Sequence, residues 1–545
     1  MAVEVFVRWA GVFTLAVPAF FAPALSIAEP NLPPTRDMNL LMITVEDWAA
    51  NAIGAYGNPV VQTPHVDSLA KRGVTFDRAY CQATVCNPSR ASFVTGMRPD
   101  YTQVFRNSDS MDALVPADAP SMARILDRDD VFTAQFGKLV HKWDDAGRFA
   151  KGFDLIEYTH DYDQPPGFEG TLRRSPAGPA GIDDVEMECL EIADKTAAAR
   201  LKRLWDEREE KLAAGAENNW TLRKPFQQLF AEQVGDSGID EASMEDGRLV
   251  RSAAKLLGGL AESKQKFFLN VGLYSTHTPL LAPKKYVEAY PPSQMLLTPA
   301  TRNRDYLVPD VARRGGKNYD IFNGLYPEYG PTNQRQREAV AAYYACSSYV
   351  DASIGVLLNK LVETGLDQNT IIVFFADHGF QLGEHGCWSK FTLFEQSTRV
   401  PMIVVVPGMK HAGDRCGQIV ELVDVLPTLC DLWEIPKDSR FEGDSFVPLL
   451  ASPDRPWKTA AYSCITLGGL GRSVRTKDYR YAEYHRDVAP PTETSDPHAV
   501  ELYDMRSDPW EQNNLAGRPA FESVQQQMRD LLISGTKSIN VLDTD

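Results

Sequence analysis

Five short apolar runs punctuate the chain, and polar or charged residues follow four of them closely. NLLMITV (39–45) is followed by Glu46-Asp47, and VFTAQF (131–136) by Gly137-Lys138 and then His141. FFLNVGL (267–273) precedes His277, TIIVFFA (370–376) precedes Asp377-His378-Gly379, and PMIVVV (401–406) is the fifth run. Runs that do not alternate read as strands buried on both faces, which a parallel sheet between two helical layers provides. The helical stretch at 335–364 stops at Gly365 and feeds the fourth run, as a crossover between parallel strands should. The expected fold is α/β, a large and mostly parallel sheet flanked by helices. Ligands of such sheets sit beyond the C-terminal strand ends, where these polar groups converge.

The C-terminal part reads differently. GRSVRTKDYRYAEY (471–484) alternates like antiparallel strands, and QQQMRDLLIS near the end is helical in pattern. We therefore expect a catalytic domain over 36–449 and a smaller α+β subdomain over 450–545. Residues 193–219 read as a charged surface helix within an insertion. At the N-terminus, Arg8 precedes the apolar run WAGVFTLAVPAFFAPALSIA, which ends in small residues at Ser26-Ile27-Ala28. This pattern predicts a cleaved signal peptide over residues 1–28 and a secreted, periplasmic or lysosomal protein. Pro18 and Pro23 argue against a retained anchor, so no stable membrane insertion is expected.

The formal net charge of −17 speaks against nucleic-acid binding, which needs a basic footprint. An anionic substrate would have to be caught by a local pocket of cations. The eight cysteines (81, 86, 189, 346, 387, 416, 430 and 464) include no C-x-x-C pair. Setting Cys86 aside leaves an odd number, so a disulfide framework is not expected to hold the fold.

Cys86 stands in CNPSRASFVTG (86–96). Pro88-Ser89 reads as the opening of a helix, which puts Cys86 at the positive helix end, with Arg90 as a fixed cation. Glu46, Asp47, Asp377 and His378 offer hard oxygen donors and one imidazole. Either acidic pair alone would read as a helix cap or surface charge. Both at matching strand ends would repel each other without a cation between them, and calcium suits the set, ahead of magnesium. Lys138, His141, His277 and Lys390 add cations and donors. The set suits an ester of a tetrahedral oxyanion, sulfate or phosphate.

The C-x-P-S-R pattern resembles the signature of the type I, formylglycine-dependent sulfatases of the alkaline phosphatase-like superfamily. VEDWAANAIGAYG, TPHVDSLAKRGVTFDRAY, FGKLVH, STHTP and ADHGFQLGEHGCWSKF extend the resemblance over most of 36–430. The RPD after the signature and the ADHG…LGEHG…W-K pattern are most similar to the iduronate-2-sulfatase branch. The resemblance implies that a formylglycine-generating enzyme oxidises Cys86 to an aldehyde, whose hydrate attacks sulfur and then expels sulfate. It further implies that Glu46, Asp47, Asp377, His378 and residue 86 hold calcium. Arg90, Lys138 and His141 would fix the hydrate, with His141 a candidate base, and His277 and Lys390 would bind the sulfate. The implied substrate is a sulfated carbohydrate of the glycosaminoglycan kind. Glu46 departs from the pattern, which usually has Asp. A phosphoesterase or phosphonate monoester hydrolase, or a non-catalytic glycan-binding relative, are the alternatives.

Overall fold

The computed structural model describes residues 32–141, 152–157, 234–299, 308–318, 333–466, 469–487 and 489–537, with a few isolated positions besides. The expected signal peptide and nearly all of the 193–219 helix lie outside these residues.

The apolar runs become the spine of a nine-stranded sheet. Its strands are β1 (Asn39–Val45), β2 (Val74–Tyr80), β3 (Phe132–Gly137), β4 (Leu155–Glu157), β5 (Phe267–Leu273), β6 (Thr370–Ala376), β7 (Arg399–Val400), β8 (Met402–Val405) and β9 (Arg415–Glu421). β1 is central, parallel to β5 on one side and to β6 on the other, with Ile43 in register with both Val271 and Phe374. β3 and β4 continue the parallel order beyond β5. Every residue of β1, β5 and β6 is buried, which explains why these segments carry no alternation.

The fifth run departs from the parallel expectation. β8 runs antiparallel to both β6 and β2, so the sheet is mixed. Pro401 lies between β7 and β8, where it donates no ladder hydrogen bond. β2 and β9 carry no clear strand pattern in the sequence. VTFDRAY has Asp77 and Arg78 at half-buried positions, and β9 has a register shift between Cys416 and Ile419, which breaks its period.

The helical layers are α1 (Pro64–Arg72), α2 (Cys86–Thr95), α3 (Glu245–Ser263), α4 (Asn333–Thr364) and α5 (Val425–Leu432). Neighbouring residues of β6 show how the two faces are covered. Phe375 meets Phe93 of α2 edge-on at 5.2 Å, and Phe374 meets Trp48 at 5.7 Å. Adjacent strand residues point to opposite faces, so α2 lies on one side of the sheet and Trp48 on the other. No helix among the described residues is long and apolar enough to cross a membrane. The seven described cysteines are all free thiols.

A second, antiparallel sheet forms the C-terminal part: β10 (Ala460–Thr466), β11 (Leu470–Thr476), β12 (Tyr479–His485) and β13 (Ala499–Asp504). Helix α6 (Glu522–Lys537) packs Met528 and Leu532 onto Val474, Tyr481 and Leu502. Buried charges tie this sheet to the first. Arg98, just beyond α2, donates to both carboxylate oxygens of Glu421 at 2.8 and 2.7 Å. Lys458 reaches the same carboxylate at 3.1 Å, and Tyr462 N–H donates to it at 2.9 Å. Arg472 grips Asp100 with both Nη groups.

Burial opposes ionisation of Glu421, yet Arg98 and Lys458 bring its pKa down to about 2 from an ordinary 4.5. A depressed carboxylate stabilises the fold above its unfolded pKa and loses that contribution as pH falls toward the folded one. Glu421→Ala, which leaves Arg98 and Lys458 short of a counter-charge, should cost about 3–5 kcal/mol in urea unfolding at pH 7. Wild type should lose most of that advantage over the variant as pH falls from about 4.5 to about 2.

Candidate active site

The C-terminal ends of β1, β3, β5 and β6 bring together the groups that the sequence analysis singled out. α2 begins at Cys86 itself, two residues earlier than Pro88-Ser89 indicated, so residue 86 occupies the first helical position. Its thiol donates to Glu46 Oε1 at 3.1 Å. It accepts from Lys390 Nζ at 3.0 Å and lies 3.3 Å from His378 Nε2. Lys390 also donates to Asp47 Oδ1 at 2.7 Å, and Lys138 pairs with Glu46. Donor atoms of Asp47, Cys86, Asp377 and His378 lie within 4.8 Å of one another. Glu46 stands outside that set and forms one cluster with Cys86 and His141 and another with Asp47 and His277.

The backbone is shaped to hold these groups. Asp47 has φ 58°, in the left-handed region a non-glycine residue rarely adopts. Tyr343 of α4 secures it, donating to the Asp47 carbonyl at 2.5 Å and accepting from Ala49 N at 2.8 Å. Asp47 N–H donates to Asp377 Oδ1 at 3.0 Å, and Ser89 Oγ donates to the Asp377 carbonyl at 2.5 Å. Nothing in the sequence pattern of α4 marks Tyr343 for this task. Lys138 is aimed by a close approach of two glycines. A Cβ at Gly272 would run into the Lys138 carbonyl, and one at Gly137, at φ 70°, into the Gly272 carbonyl. Lys390 is flanked by Ser389 and Phe391, both with positive φ.

Arg90 makes contacts that the sequence did not indicate. Its fully buried guanidinium donates to Asp377 Oδ2 at 3.0 Å and to the carbonyls of Lys138 and Leu139 at 2.9 and 3.1 Å. Only Nη2 has no hydrogen-bond partner among the described residues. Arg90 thus orients a carboxylate and the Lys138 backbone through three of its donor contacts.

The electrostatics follow from burial and pairing. Burial opposes charge on Glu46, but Lys138, with help from His277 and Lys390, holds its carboxyl well below the usual range. Asp377 is likewise depressed against burial, by His378 and Arg90. Burial pushes the Cys86 thiol far above its ordinary value, so it rests protonated. Burial and then Lys390 lower His277, which is neutral at pH 7. His378 Nδ1 faces the Gly379 carbonyl at 2.9 Å, and His277 Nδ1 the Thr278 carbonyl at 2.7 Å. These contacts place a proton on Nδ1 of each ring and leave Nε2 as the acceptor when the ring is neutral.

Two buried carboxylates and an imidazole with its lone pair turned inward, with the Glu46 carboxylate beside them, make a donor set for a hard divalent cation. Asp47 Oδ2, buried and without a hydrogen-bond partner among the described residues, fits the same reading. The residues present therefore fit calcium.

A mixed sheet with acids, cations and a helix-opening cysteine at its C-terminal rim defines a hydrolase of the alkaline phosphatase-like class. The chain belongs to the sulfatase family, which matches residues 38–435. The C-terminal domain described for N-sulphoglucosamine sulphohydrolase matches residues 383–538. Iduronate 2-sulfatase of Mus musculus is 28% identical, over 92% of this chain and 95% of its own length. A structure solved with its substrate D-glucosamine-2-N,6-O-disulfate superposes with a TM-score of 0.66 at 20% identity, covering 92% of this chain and 98% of that one. The phosphonate monoester hydrolase of Agrobacterium radiobacter also superposes with a TM-score of 0.66, at 19% identity, covering 92% and 96%. The chain is a sulfuric ester hydrolase by family.

Gly272→Ala tests the aim of Lys138. The added methyl must displace the Lys138 backbone, and a shift of about 1 Å at such a site costs about 100-fold in rate. The expected result is that loss in kcat/KM on an aryl sulfate, with far-ultraviolet circular dichroism unchanged.

Proposed function

We propose that the chain hydrolyses sulfate esters of a sulfated carbohydrate, in the manner of an iduronate-2-sulfatase, with calcium and with residue 86 converted to formylglycine. The observation that carries this is the position of Cys86. It stands inside C-x-P-S-R, at the first position of α2, with Lys390 at 3.0 Å, Glu46 at 3.1 Å and His378 at 3.3 Å. A thiol held protonated by burial is a poor nucleophile, which favours a precursor role for this cysteine over direct attack. A formylglycine-generating enzyme would carry out the conversion.

Formylglycine, when formed, supplies a nucleophilic oxygen and a second hydroxyl whose deprotonation expels sulfate. Calcium would be held by Asp47, Asp377, His378 and residue 86, with Glu46 as a further oxygen donor, and would neutralise sulfate charge. The chain's own residues do the rest. Lys138 and Lys390 keep their protons, since burial is outweighed by Glu46 and Asp47 respectively, and they present charge to the sulfate oxygens. His277, about a third exposed, lies on the open side of the pocket. An arriving anion raises its proton affinity, so it can donate from Nε2 to the leaving oxygen. His141 lies close to Glu46 and Cys86, and would take the proton in the sulfate-releasing step. Arg90 positions Asp377. The net charge of −17 with a few pocket cations favours a terminal sulfated unit over the interior of a long polyanion.

The phosphonate hydrolase fold likeness keeps one rival. Rates on matched aryl sulfate and aryl phosphonate or phosphate esters decide it, and faster turnover of the phosphorus esters would overturn the sulfatase reading.

The Cys86 peptide from protein matured in a competent host should be lighter than its sequence mass, as expected for a thiol replaced by an aldehyde. Cys86→Ala should fold and bind calcium weakly, and Cys86→Ser should lose turnover because it has one hydroxyl rather than two. Mass spectrometry and single-turnover assays check both. A Cys86→Ser protein with full activity and an unmodified hydroxyl would move the rival to first place.

Glu46→Ala should abolish activity and weaken calcium binding measured by titration calorimetry. Glu46→Asp should keep or raise activity, since it restores the shorter carboxylate usual in the family. Complete loss would mean that the pocket has adapted to the longer side chain.

A further inference from the structure

A second cleft of about 550 Å³ opens beside the catalytic rim, on the β8 side. Neither the metal-ligand candidates nor Lys138, His141, His277 or Lys390 line it. The two sites are back to back. Gly379, next to His378, is packed so tightly on the Gln396 carbonyl that a Cβ there would overlap it, and Gln396 is a wall of the cleft. The volume falls within the ~300–1,000 Å³ typical of small-molecule pockets.

Both sheets contribute to the walls. Asn51, Tyr56, Gln396 and Arg399 come from the catalytic part, and Trp510 from the loop after β13. Trp510 is held firmly, because its neighbour Glu511 is buried, accepts from Glu395 N at 2.7 Å and pairs with Arg480. Asn51 Oδ1 and Gln396 Oε1 are buried acceptors with no hydrogen-bond partner among the described residues. An unmet buried acceptor is unfavourable, so a hydroxyl brought within reach by a small rotation of either amide would be held there.

The charges point to an anion. Arg399 donates Nε to the Asp77 carbonyl at 2.8 Å, while its Nη groups meet no acceptor among the described residues. Its guanidinium lies 5.7 Å from the Tyr56 ring centre. The nearby acids are spent. Glu395 pairs with Arg475 at 2.9 Å and accepts from Tyr80 at 3.0 Å, and Asp77 pairs with Arg415. One guanidinium fork is thus left for a ligand, between aromatic faces and amide oxygens.

We propose that this cleft is a second, non-catalytic binding site for an anionic saccharide unit. Arg399 takes the sulfate or carboxylate, Trp510 packs on the sugar ring, and Asn51 and Gln396 accept from its hydroxyls. The site does not depend on turnover at residue 86. It would hold a remote part of a glycan chain, or a separate chain, while the rim works on another.

The test uses the full-length Cys86→Ala protein and calorimetric titration with a heparin-derived tetrasaccharide, its chemically desulfated counterpart and sodium sulfate. Arg399→Gln and Trp510→Ala should each remove one bound tetrasaccharide per chain or weaken it at least fivefold. The desulfated sugar and sulfate alone should bind at least fivefold more weakly than the tetrasaccharide. One substitution lies in β7 and the other in the loop after β13, so misfolding of one, read by its thermal melt, leaves the other decisive. Unchanged stoichiometry and affinity in both would overturn the proposal. Equal binding of the desulfated sugar, or an effect of Arg399→Gln without one of Trp510→Ala, would overturn it as well. Because the readout is binding, a failure of the sulfatase reading leaves these outcomes unaffected, and kcat/KM of the two variants with Cys86 intact on a small aryl sulfate should stay within twofold.

Discussion

Three carboxylates, those of Glu46, Asp47 and Asp377, are sealed from water within one small region, and the rest of the architecture answers to that crowding. Like charges so placed would drive up one another's pKa and push the strand ends apart. Instead, burial is outweighed for Glu46 and Asp377, because Lys138, Lys390, Arg90 and two imidazoles stand against them. Two of these cations and one of the acids are held by backbone devices that a free chain would not adopt. Lys138 rests on the Gly137–Gly272 contact, Lys390 on two left-handed neighbours, and Asp47 on its own left-handed turn pinned by Tyr343. Strain of this kind is tolerable only where the surrounding packing over-determines it, as the buried central strands do here.

The same logic extends to the second sheet. Residue 86 is fixed only as well as α2 is fixed, and both flanks of α2 are tied elsewhere. Just ahead of it, Cys464 N–H donates to the Gln82 carbonyl at 2.8 Å. Beyond its C-terminus, Arg98 and Asp100 engage Glu421 and Arg472. Glu421 therefore serves three partners at once: the helix that carries the cysteine, the sheet strand that ends in it, and the C-terminal sheet. A buried ion pair is not in itself a strong stabiliser. Its value here is positional, because losing one partner leaves the others charged and buried.

How much of this was legible in the chain follows from what each residue had to satisfy. The central strands were visible because burial on both faces removes alternation, and their polar followers because acids and histidines after apolar runs are scarce. Strands β2 and β9 were hidden, since both carry charged or bulged positions that lie where the sheet is only half covered. The reversal of β8 was also hidden, because a buried strand reads alike in either direction. Among the residues gathered at this rim, those with a chemical signature were singled out from the sequence. Tyr343 and Glu421 were not, because a buried tyrosine or glutamate on an ordinary helix or strand gains its meaning only from a partner hundreds of residues away. Arg90 was singled out too, but not for the contacts it makes with Asp377 and the Lys138 and Leu139 carbonyls. Its sequence position gave its charge, while only the packing showed that Asp377 and two carbonyls claim its donors.

Glu46 is where local chemistry and family pattern pull apart. Its extra methylene lets one oxygen reach Lys138 and the Cys86 thiol together, and takes the carboxylate out of the tight set formed by Asp47, Asp377, His378 and residue 86. A shorter acid anchored at the same backbone, where the Thr276 hydroxyl grips the Glu46 carbonyl, would carry its oxygens less far toward Lys138. The longer side chain thus trades cation coordination for a direct ion pair with a lysine facing the pocket. That pairing lowers the positive charge Lys138 can offer a substrate unless a cation draws the carboxylate away. Charge at the sulfate-facing wall and occupancy of the cation site are in this way coupled through one side chain, a link that an aspartate at this position would make only weakly.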